Sequence, residues 1–291
     1  MLESGPENIN AFHLAGVVPV AGQKLDFGFP WHDSMQPIAQ DYLLVERAIV
    51  ECAYAGCETI WVVCNDDMQP LIRHRVGDYI EDPYYLSKSN FVKFPSEHRR
   101  QIPIFYCPIH PKDRDRRDSL GWAVLHGALN AFIVSNKISK WLVPSRYYVA
   151  FPYGIYPPDF VLDKRKKISH KDPFFLSFGG KTVKDGEYLG FTMSGEEYKK
   201  YVRSTKEECT LGDKSLPAAE RWSSRHFGLD KIFGYGKIVK SKKHELPWYY
   251  KSDTWEGLKN FWNSPESKEL NRPSSSMFKK SKYNKIGVPV E

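Results

Sequence analysis

Several features that define other protein classes are missing from this sequence of 291 residues. It has no run approaching the roughly 18–20 apolar residues that a membrane span needs. Its polar first ten residues lack the basic and apolar regions of a signal peptide. The five cysteines are odd in number and show no CxxC or Cys/His zinc spacing. We therefore expect a cytoplasmic protein with reduced cysteines and no association with a membrane.

Outside residues 237–291 the chain carries nearly equal numbers of basic and acidic side chains. The whole sequence carries 42 Lys/Arg against 35 Asp/Glu, and residues 237–291 alone hold 12 against six. A basic segment favours an acidic partner, either nucleic acid or a protein in an assembly, but a solvated surface explains it equally well. We predict a domain of residues 1–262 followed by a basic, extended C-terminal arm of residues 263–291. The basic connector at 162–172 is the candidate subdomain boundary.

What the sequence does contain is an alternation of short apolar runs and helical patterns. The apolar runs predict strands at 11–20, 59–64, 102–109 and 140–151, and a hairpin at 173–194. Helical spacing predicts helices at 38–55, ended by Gly56, and at 120–134, begun by Ser119. Ser194 and Glu197 match a capping box that opens a later helix. The pattern indicates an α/β fold with a mixed, mostly parallel central sheet and helices on both faces.

The long loop after the first predicted strand lies at the carboxyl edge of such a sheet, where open α/β sheets bind their ligands. Gly16 and Gly22 permit close approach of the backbone to a ligand, and Lys24 offers a positive charge. A rigid surface loop without a ligand is the alternative. Asp66 and Asp67 follow the second strand, where capping of the next helix is the simpler role.

Five segments carry a family resemblance, in the order LAGVVPVAG (14–22), MQPIAQDYLLVERAI (35–49), AGCETIWVV (55–63), GWAVLHGAL (121–129) and WYYKSDTWEGL (248–258). Each match is weak alone, and their common order gives them weight. Together they resemble the sugar-phosphate nucleotidyltransferases, a GT-A-type family, in a divergent form with degenerate signature motifs.

The resemblance implies a nucleotide-diphospho-sugar transferase-like fold that binds a nucleotide, sugar nucleotide or sugar phosphate and transfers a nucleotidyl group to a sugar phosphate. Gly16 and Gly22 would then approach the nucleotide, and Gly121 would open the helix beside the base or sugar. Lys24 would contact phosphate, and Asp253 would hold Mg²⁺.

Departures from the family pattern leave a second interpretation open. The GxGTR signature is absent, Trp31 stands where the family has a lysine, and the strand expected to end in Gly-Asp reads Val-Pro-Ser-Arg146. Arg146 would have to replace the charge of the metal in catalysis. The alternative is a catalytically inert member of the fold that serves as a structural, assembly or interaction protein. A glycosyltransferase ranks last, because its nearest metal motif, Asn65-Asp66-Asp67, follows the wrong strand.

Overall fold

The computed structural model describes residues 12–22, 27–83, 101–114, 119–210, 228–234, 240–273, 278, 283–285 and 288–289. The strands are β1 Leu14–Pro19, β2 Pro37–Ala39, β3 Tyr42–Leu43, β4 Thr59–Val63, β5 Tyr79–Glu81, β6 Gln101–Cys107, β7 Arg146–Val149, β8 Gly154–Ile155, β9 Phe175–Ser177, β10 Phe191–Ser194, β11 Lys243–Glu245, β12 Tyr250–Lys251, β13 Tyr283–Lys285 and β14 Val288–Pro289. The α-helices are α1 Leu44–Ala55, α2 Gln69–Val76, α3 Pro111–Arg114, α4 Leu120–Ile138, α5 Pro158–Ile168, α6 Gly195–Thr210, α7 Leu229–Phe233, α8 Trp255–Trp262 and α9 Glu266–Glu269.

In the described ranges the central sheet has eight strands, in the order β11-β9-β10-β7-β1-β4-β6-β5. The four central strands β7, β1, β4 and β6 run parallel to one another. β10 is antiparallel to β7 and β9, and β5 is antiparallel to β6. The mixed, mostly parallel sheet predicted from the sequence is therefore confirmed, and so is the antiparallel pairing predicted within residues 173–194.

The central strands are buried on both faces, which explains their continuous apolar runs. All six residues of β1 are buried. On one face Leu14 and Val18 join the core formed with α1 and α5, and on the other Ala15 and Val17 join the core formed with α4. Helices on both faces are thus confirmed. The cysteines that the structure describes in full are buried and free, at positions 52, 57, 64 and 107.

Two element boundaries differ from the sequence predictions. The helix predicted from residue 38 begins at Leu44, because residues 37–43 form the antiparallel pair β2 and β3 around Asp41, whose φ is 57°. Its predicted end is confirmed, since Gly56 adopts a left-handed φ of 91°. The connector predicted at 162–172 is mostly the helix α5, which buries Val161 and Ile168 and exposes Lys166 and Lys167.

The C-terminal residues that the structure describes contact the α/β domain. Leu270 and Phe278 are buried in the core on the α1 side, and Phe278 forms a β-bridge with Ile80. The Arg272 guanidinium donates to the buried Glu46 carboxylate at 3.0 Å. The division at residue 263 stays a prediction. Within the described ranges, no helix is both long and apolar enough to cross a membrane.

Candidate functional site at the carboxyl edge of the sheet

The loop after β1 is fastened to the carboxyl edge of the sheet. The backbone N–H groups of Val20 and Ala21 both donate to the Val63 carbonyl at 2.9 Å, which joins the ends of β1 and β4. Gly22 follows with a left-handed φ of 83°, and a Cβ there would lie 2.4 Å from the Ser119 carbonyl carbon. A glycine is therefore required where this loop crosses the start of α4.

Ser119 begins α4 as the sequence predicted. Its hydroxyl accepts the Trp122 N–H at 3.3 Å, so one of the unpaired donors of the helix start is satisfied. A Cβ on Gly121 would lie 2.4 Å from Ile232 Cδ1 of α7, so this glycine is used in helix packing. The structure thus places Gly22 and Gly121 close together at the carboxyl edge, on either side of Ser119.

His32 and Asp33 stiffen the middle of the same loop. His32 Nδ1 lies 2.9 Å from Ser34 Oγ and accepts the Ser34 N–H at 3.2 Å, so it caps the short 3₁₀ turn Asp33–Met35. Burial lowers the pKa of His32 to about 4, against the opposing charge of Asp67, so the imidazole is neutral at pH 7. Burial raises the pKa of Tyr153, and the charge of the buried Asp33 raises it further.

The chain after β7 brings Asp253 to this edge. β8 pairs with β12, which places Lys251 opposite Gly154. The Ser252 N–H and hydroxyl both donate to the Tyr153 carbonyl, at 2.8 and 3.0 Å. Ser252 is fully buried, so the next residue, Asp253, is held just beyond the carboxyl end of β7.

Asp253, Lys251 and Tyr188 form a polar cluster there. The Lys251 ammonium lies 3.3 Å from Asp253 Oδ2 and 5.1 Å from the centre of the Tyr188 ring. The Tyr188 hydroxyl donates to the same carboxylate oxygen at 3.3 Å. The Lys251 side chain is 43% exposed and that of Asp253 is 20% exposed. The cluster therefore offers a solvent-accessible positive charge held by a less exposed carboxylate.

A buried ion pair fixes the backbone beneath this cluster. Arg47 Nη1 donates to Glu51 at 2.8 Å, and Arg47 Nη2 donates to the Phe151 carbonyl at 2.5 Å. The hydroxyls of Tyr148 and Tyr156 each donate to the other Glu51 oxygen at 2.6 Å. Both charged side chains are fully buried. Because Phe151 lies between β7 and Tyr153, α1 holds the segment from which Asp253 is positioned.

Aromatic side chains from the loop and from α8 form an exposed cluster beside Asp253. The rings of Phe29 and Trp31 stack with an interplanar angle of 9° and centroids 5.2 Å apart. Trp255 contacts Phe29, Phe27 and Trp262 edge-on, with centroids 5.5–5.8 Å apart. Four of these rings are 37–45% exposed: Phe29, Trp31, Trp255 and Trp262. We call these four rings the aromatic platform.

The remaining predicted site residues do not join this edge. Gly16 lies inside β1, and a Cβ there would lie 2.8 Å from Cys52 Sγ of α1, so the helix occupies the space beside it. Arg146 begins β7 instead of ending a strand, and it binds the Lys171 carbonyl and Glu197. Arg146 is thus at the start of β7, whereas Asp253 is held beyond the other end of that strand, so the structure does not bring the two side chains together. Lys24 lies outside the described residues.

The strand expected to end in Gly-Asp ends at Val149 and continues as Ala150-Phe151-Pro152, again without a carboxylate. Mg²⁺ prefers octahedral oxygen ligands, usually one or two carboxylates with substrate phosphates. Asp253 already faces the Lys251 ammonium, and no group of three His, Cys, Asp or Glu side chains suited to a metal occurs in the described ranges. Asp253 therefore offers Mg²⁺ one carboxylate, and the ion would have to replace the Lys251 ammonium there.

Sequence reasoning missed Lys251, Tyr188 and the aromatic platform. The alternation of Phe27, Phe29 and Trp31 with glycine and proline was a signal for exposed rings in the loop. Their meeting with Trp255 depends on the tertiary fold and had no local signal.

Comparison with known proteins shows which solved structures share this fold. No family model and no curated protein sequence matches this chain. A putative glucose-1-phosphate thymidylyltransferase from Bacillus anthracis, solved in complex with a sucrose, is similar with a TM-score of 0.52 and 9% identity over 90% of this chain and 98% of that one. A UDP-glucose pyrophosphorylase complexed with UDP-glucose gives 0.51 and 12% over 88% and 99%. The chain therefore has the fold of the sugar nucleotidyltransferases.

Proposed function

We propose that this protein binds a nucleotide or sugar nucleotide at the carboxyl edge of its sheet and transfers a nucleotidyl group to a sugar phosphate. The observation that carries this proposal is the cluster of Lys251, Asp253 and Tyr188 beside the aromatic platform. It lies at the edge where open α/β sheets bind ligands, in a fold shared with the sugar nucleotidyltransferases.

Lys251 is the group that attracts the phosphates. Its ammonium is exposed, and Asp253 and the Tyr188 ring hold it in one position instead of leaving it free on its flexible stem. In the transfer, a sugar-phosphate oxygen bonds to the α-phosphorus while the bond to the β-phosphate breaks and pyrophosphate leaves. Negative charge builds on the phosphate oxygens, and a fixed cation stabilises it.

The Mg²⁺ predicted at Asp253 is a separate part of the proposal, and no step is assigned to it. If Asp253 binds Mg²⁺, the ion has to displace Lys251 from the carboxylate. Titration of UDP-glucose in a buffer with excess MgCl₂, and separately in a buffer with EDTA, decides whether Mg²⁺ contributes to binding. Equal affinities in the two buffers would remove Mg²⁺ from ground-state binding, and tighter binding with Mg²⁺ that is lost in Asp253→Asn would place the ion at Asp253.

The test of binding is calorimetric titration of UDP-glucose into the full chain and into Lys251→Ala. The matched control is Lys259→Ala, which removes an exposed lysine of α8 that pairs only with Glu256 among the described residues. We expect a charge-assisted contact worth about 1.5–3 kcal/mol to be lost in Lys251→Ala alone. No detectable binding to the wild type with any nucleotide or nucleotide sugar at millimolar concentration would refute the proposal.

The second candidate is an inert member of the fold that acts in an assembly. Two observations favour it: Asp253 already offsets the Lys251 charge, and Arg146 is paired at the other end of the sheet. It predicts binding without turnover. Incubation with UDP-glucose, pyrophosphate and Mg²⁺ distinguishes the two, because the transferase releases UTP and glucose 1-phosphate whereas the inert protein releases neither. An assembly role through the basic residues 263–291 would additionally require a complex that is lost when those lysines are replaced.

A further inference from the structure

The aromatic platform gathers four large rings that remain 37–45% exposed, and clustered exposed apolar groups of this kind often mark a binding surface. Trp31 is the most exposed of them, at 45%, and only one of its faces is used by the parallel stack with Phe29. Trp262 is fixed by its indole N–H, which donates to the Pro37 carbonyl at 3.0 Å. Trp255 packs edge-on against its neighbours and locks the loop to α8. The platform is therefore held in place before any ligand arrives.

Other protein atoms occupy the space beside Gly16 and Gly22, the glycines predicted to approach a nucleotide. The space beside Gly16 is filled by Cys52, and the space beside Gly22 is filled by the Ser119 backbone. Neighbouring protein atoms exclude a side chain at both glycines, and the exposed rings that this loop offers to a base are those of Phe29 and Trp31. Trp255 contacts Phe29 and follows Asp253 by two residues, so the rings lie beside the cluster proposed for the phosphates.

We infer that the nucleobase stacks on Trp31 and extends the Phe29–Trp31 pair to a three-layer stack. This inference rests on the proposed nucleotide site and adds how the base is recognised. Every base has a π-face, so stacking holds all bases with little dependence on their hydrogen-bonding edges. The affinity should therefore vary little between bases and should follow stacking area, with purines bound more tightly than pyrimidines.

The experiment compares one sugar on four bases: UDP-, dTDP-, ADP- and GDP-glucose, titrated into the full chain by calorimetry. Glucose 1-phosphate, which has no base, is the ligand control. For the wild type we expect the four affinities to lie within about tenfold. Trp31→Ala should weaken all four by about 5- to 150-fold, the size of one base–aromatic stack, while Trp31→Phe should retain most of the affinity.

Phe132→Ala is the matched protein control, because Phe132 is similarly exposed but lies on the outer face of α4. Circular dichroism confirms that each variant is folded. Unchanged affinity in Trp31→Ala, together with loss in Lys251→Ala, would overturn the stacking inference and leave the nucleotide site standing. A preference above 100-fold for one base that persists in Trp31→Ala would also overturn it. Absence of binding in the wild type would overturn the site and the inference together.

Discussion

Replacement of Arg47 by methionine should destabilise the protein strongly, because it breaks a fully buried ion pair. The methionine fills much of the space of the arginine stem but leaves Glu51 with only the two tyrosine hydroxyls, and it leaves the Phe151 carbonyl without its donor. Removal of one partner from a buried pair costs about 3–5 kcal/mol. That is a large part of the 5–15 kcal/mol that stabilises a typical domain.

The loss in Arg47→Met should also depend on pH. Burial raises the pKa of Glu51, against the opposing effect of Arg47 and the hydroxyls of Tyr148 and Tyr156. Removal of Arg47 raises that pKa further, so the folded variant takes up a proton that the unfolded chain releases. Its stability is then greatest below the ordinary glutamate pKa and falls as the pH rises to the folded pKa, by at most about 1.4 kcal/mol per pH unit.

Urea unfolding, followed by circular dichroism at pH 5.5 and pH 8, measures both effects. The control is the double variant Arg47→Met with Glu51→Gln, in which a neutral amide still accepts from both tyrosines. It should recover part of the stability at pH 8 and little at pH 5.5. A cost below about 1 kcal/mol for Arg47→Met at both pH values would refute the view that this pair is held without water and that it fixes Phe151.

Three smaller predictions concern single contacts. Gly16→Ala should lower the free energy of unfolding by about 1–3 kcal/mol because its Cβ meets α1, whereas Gly195→Ala, with open space around its Cβ, should cost nothing in the same urea titration. His32→Asn should flatten the dependence of stability on pH. Because the folded pKa of His32 is about 4, the free energy of unfolding of the wild type should fall by about 3 kcal/mol as the pH falls from 6.5 to 4. Equal slopes of stability against pH in the two proteins would contradict this. Ser252→Ala should cost about 1 kcal/mol and weaken UDP-glucose binding severalfold, and unchanged calorimetric affinity would show that Asp253 is positioned without it.

The parts of the fold that could be predicted from sequence are those with local causes. The end of α1 follows from Gly56, whose left-handed conformation favours glycine. The start of α6 follows from Ser194 and Glu197, which exchange the backbone hydrogen bonds of a capping box at 3.2 and 2.7 Å. Each of these signals lies within a few residues of the feature it determines.

The errors have nonlocal causes. Residues 38–43 carry apolar spacing that suits a helix, but the segment forms a strand pair whose Pro37 carbonyl accepts a hydrogen bond from Trp262, far along the chain. The sequence predicts a connector where α5 lies, because the many charges of this segment conceal two buried positions, Val161 and Ile168. Similarly, Arg146 was assigned to the end of a strand that it begins.

For the candidate site, Asp253 was found through a family motif, whereas its partners required the structure. The neighbouring Lys251 could not be recognised from sequence, because lysines at the surface are common and nothing local fixes this one. Tyr188 arrives from the turn before β10, and Trp255 meets Phe29 only when the loop and α8 fold together. Tertiary contacts therefore create the site, and the sequence supplies its separate parts.

A crystal structure of the full chain soaked with UDP-glucose tests the central claim most directly. The account predicts density at the carboxyl edge of the sheet, with the phosphates within hydrogen-bond distance of Lys251 and the uracil ring stacked on Trp31. Ligand bound elsewhere, for example in the cavity between Tyr54, Asp159 and Trp248, with the carboxyl edge empty, would contradict it.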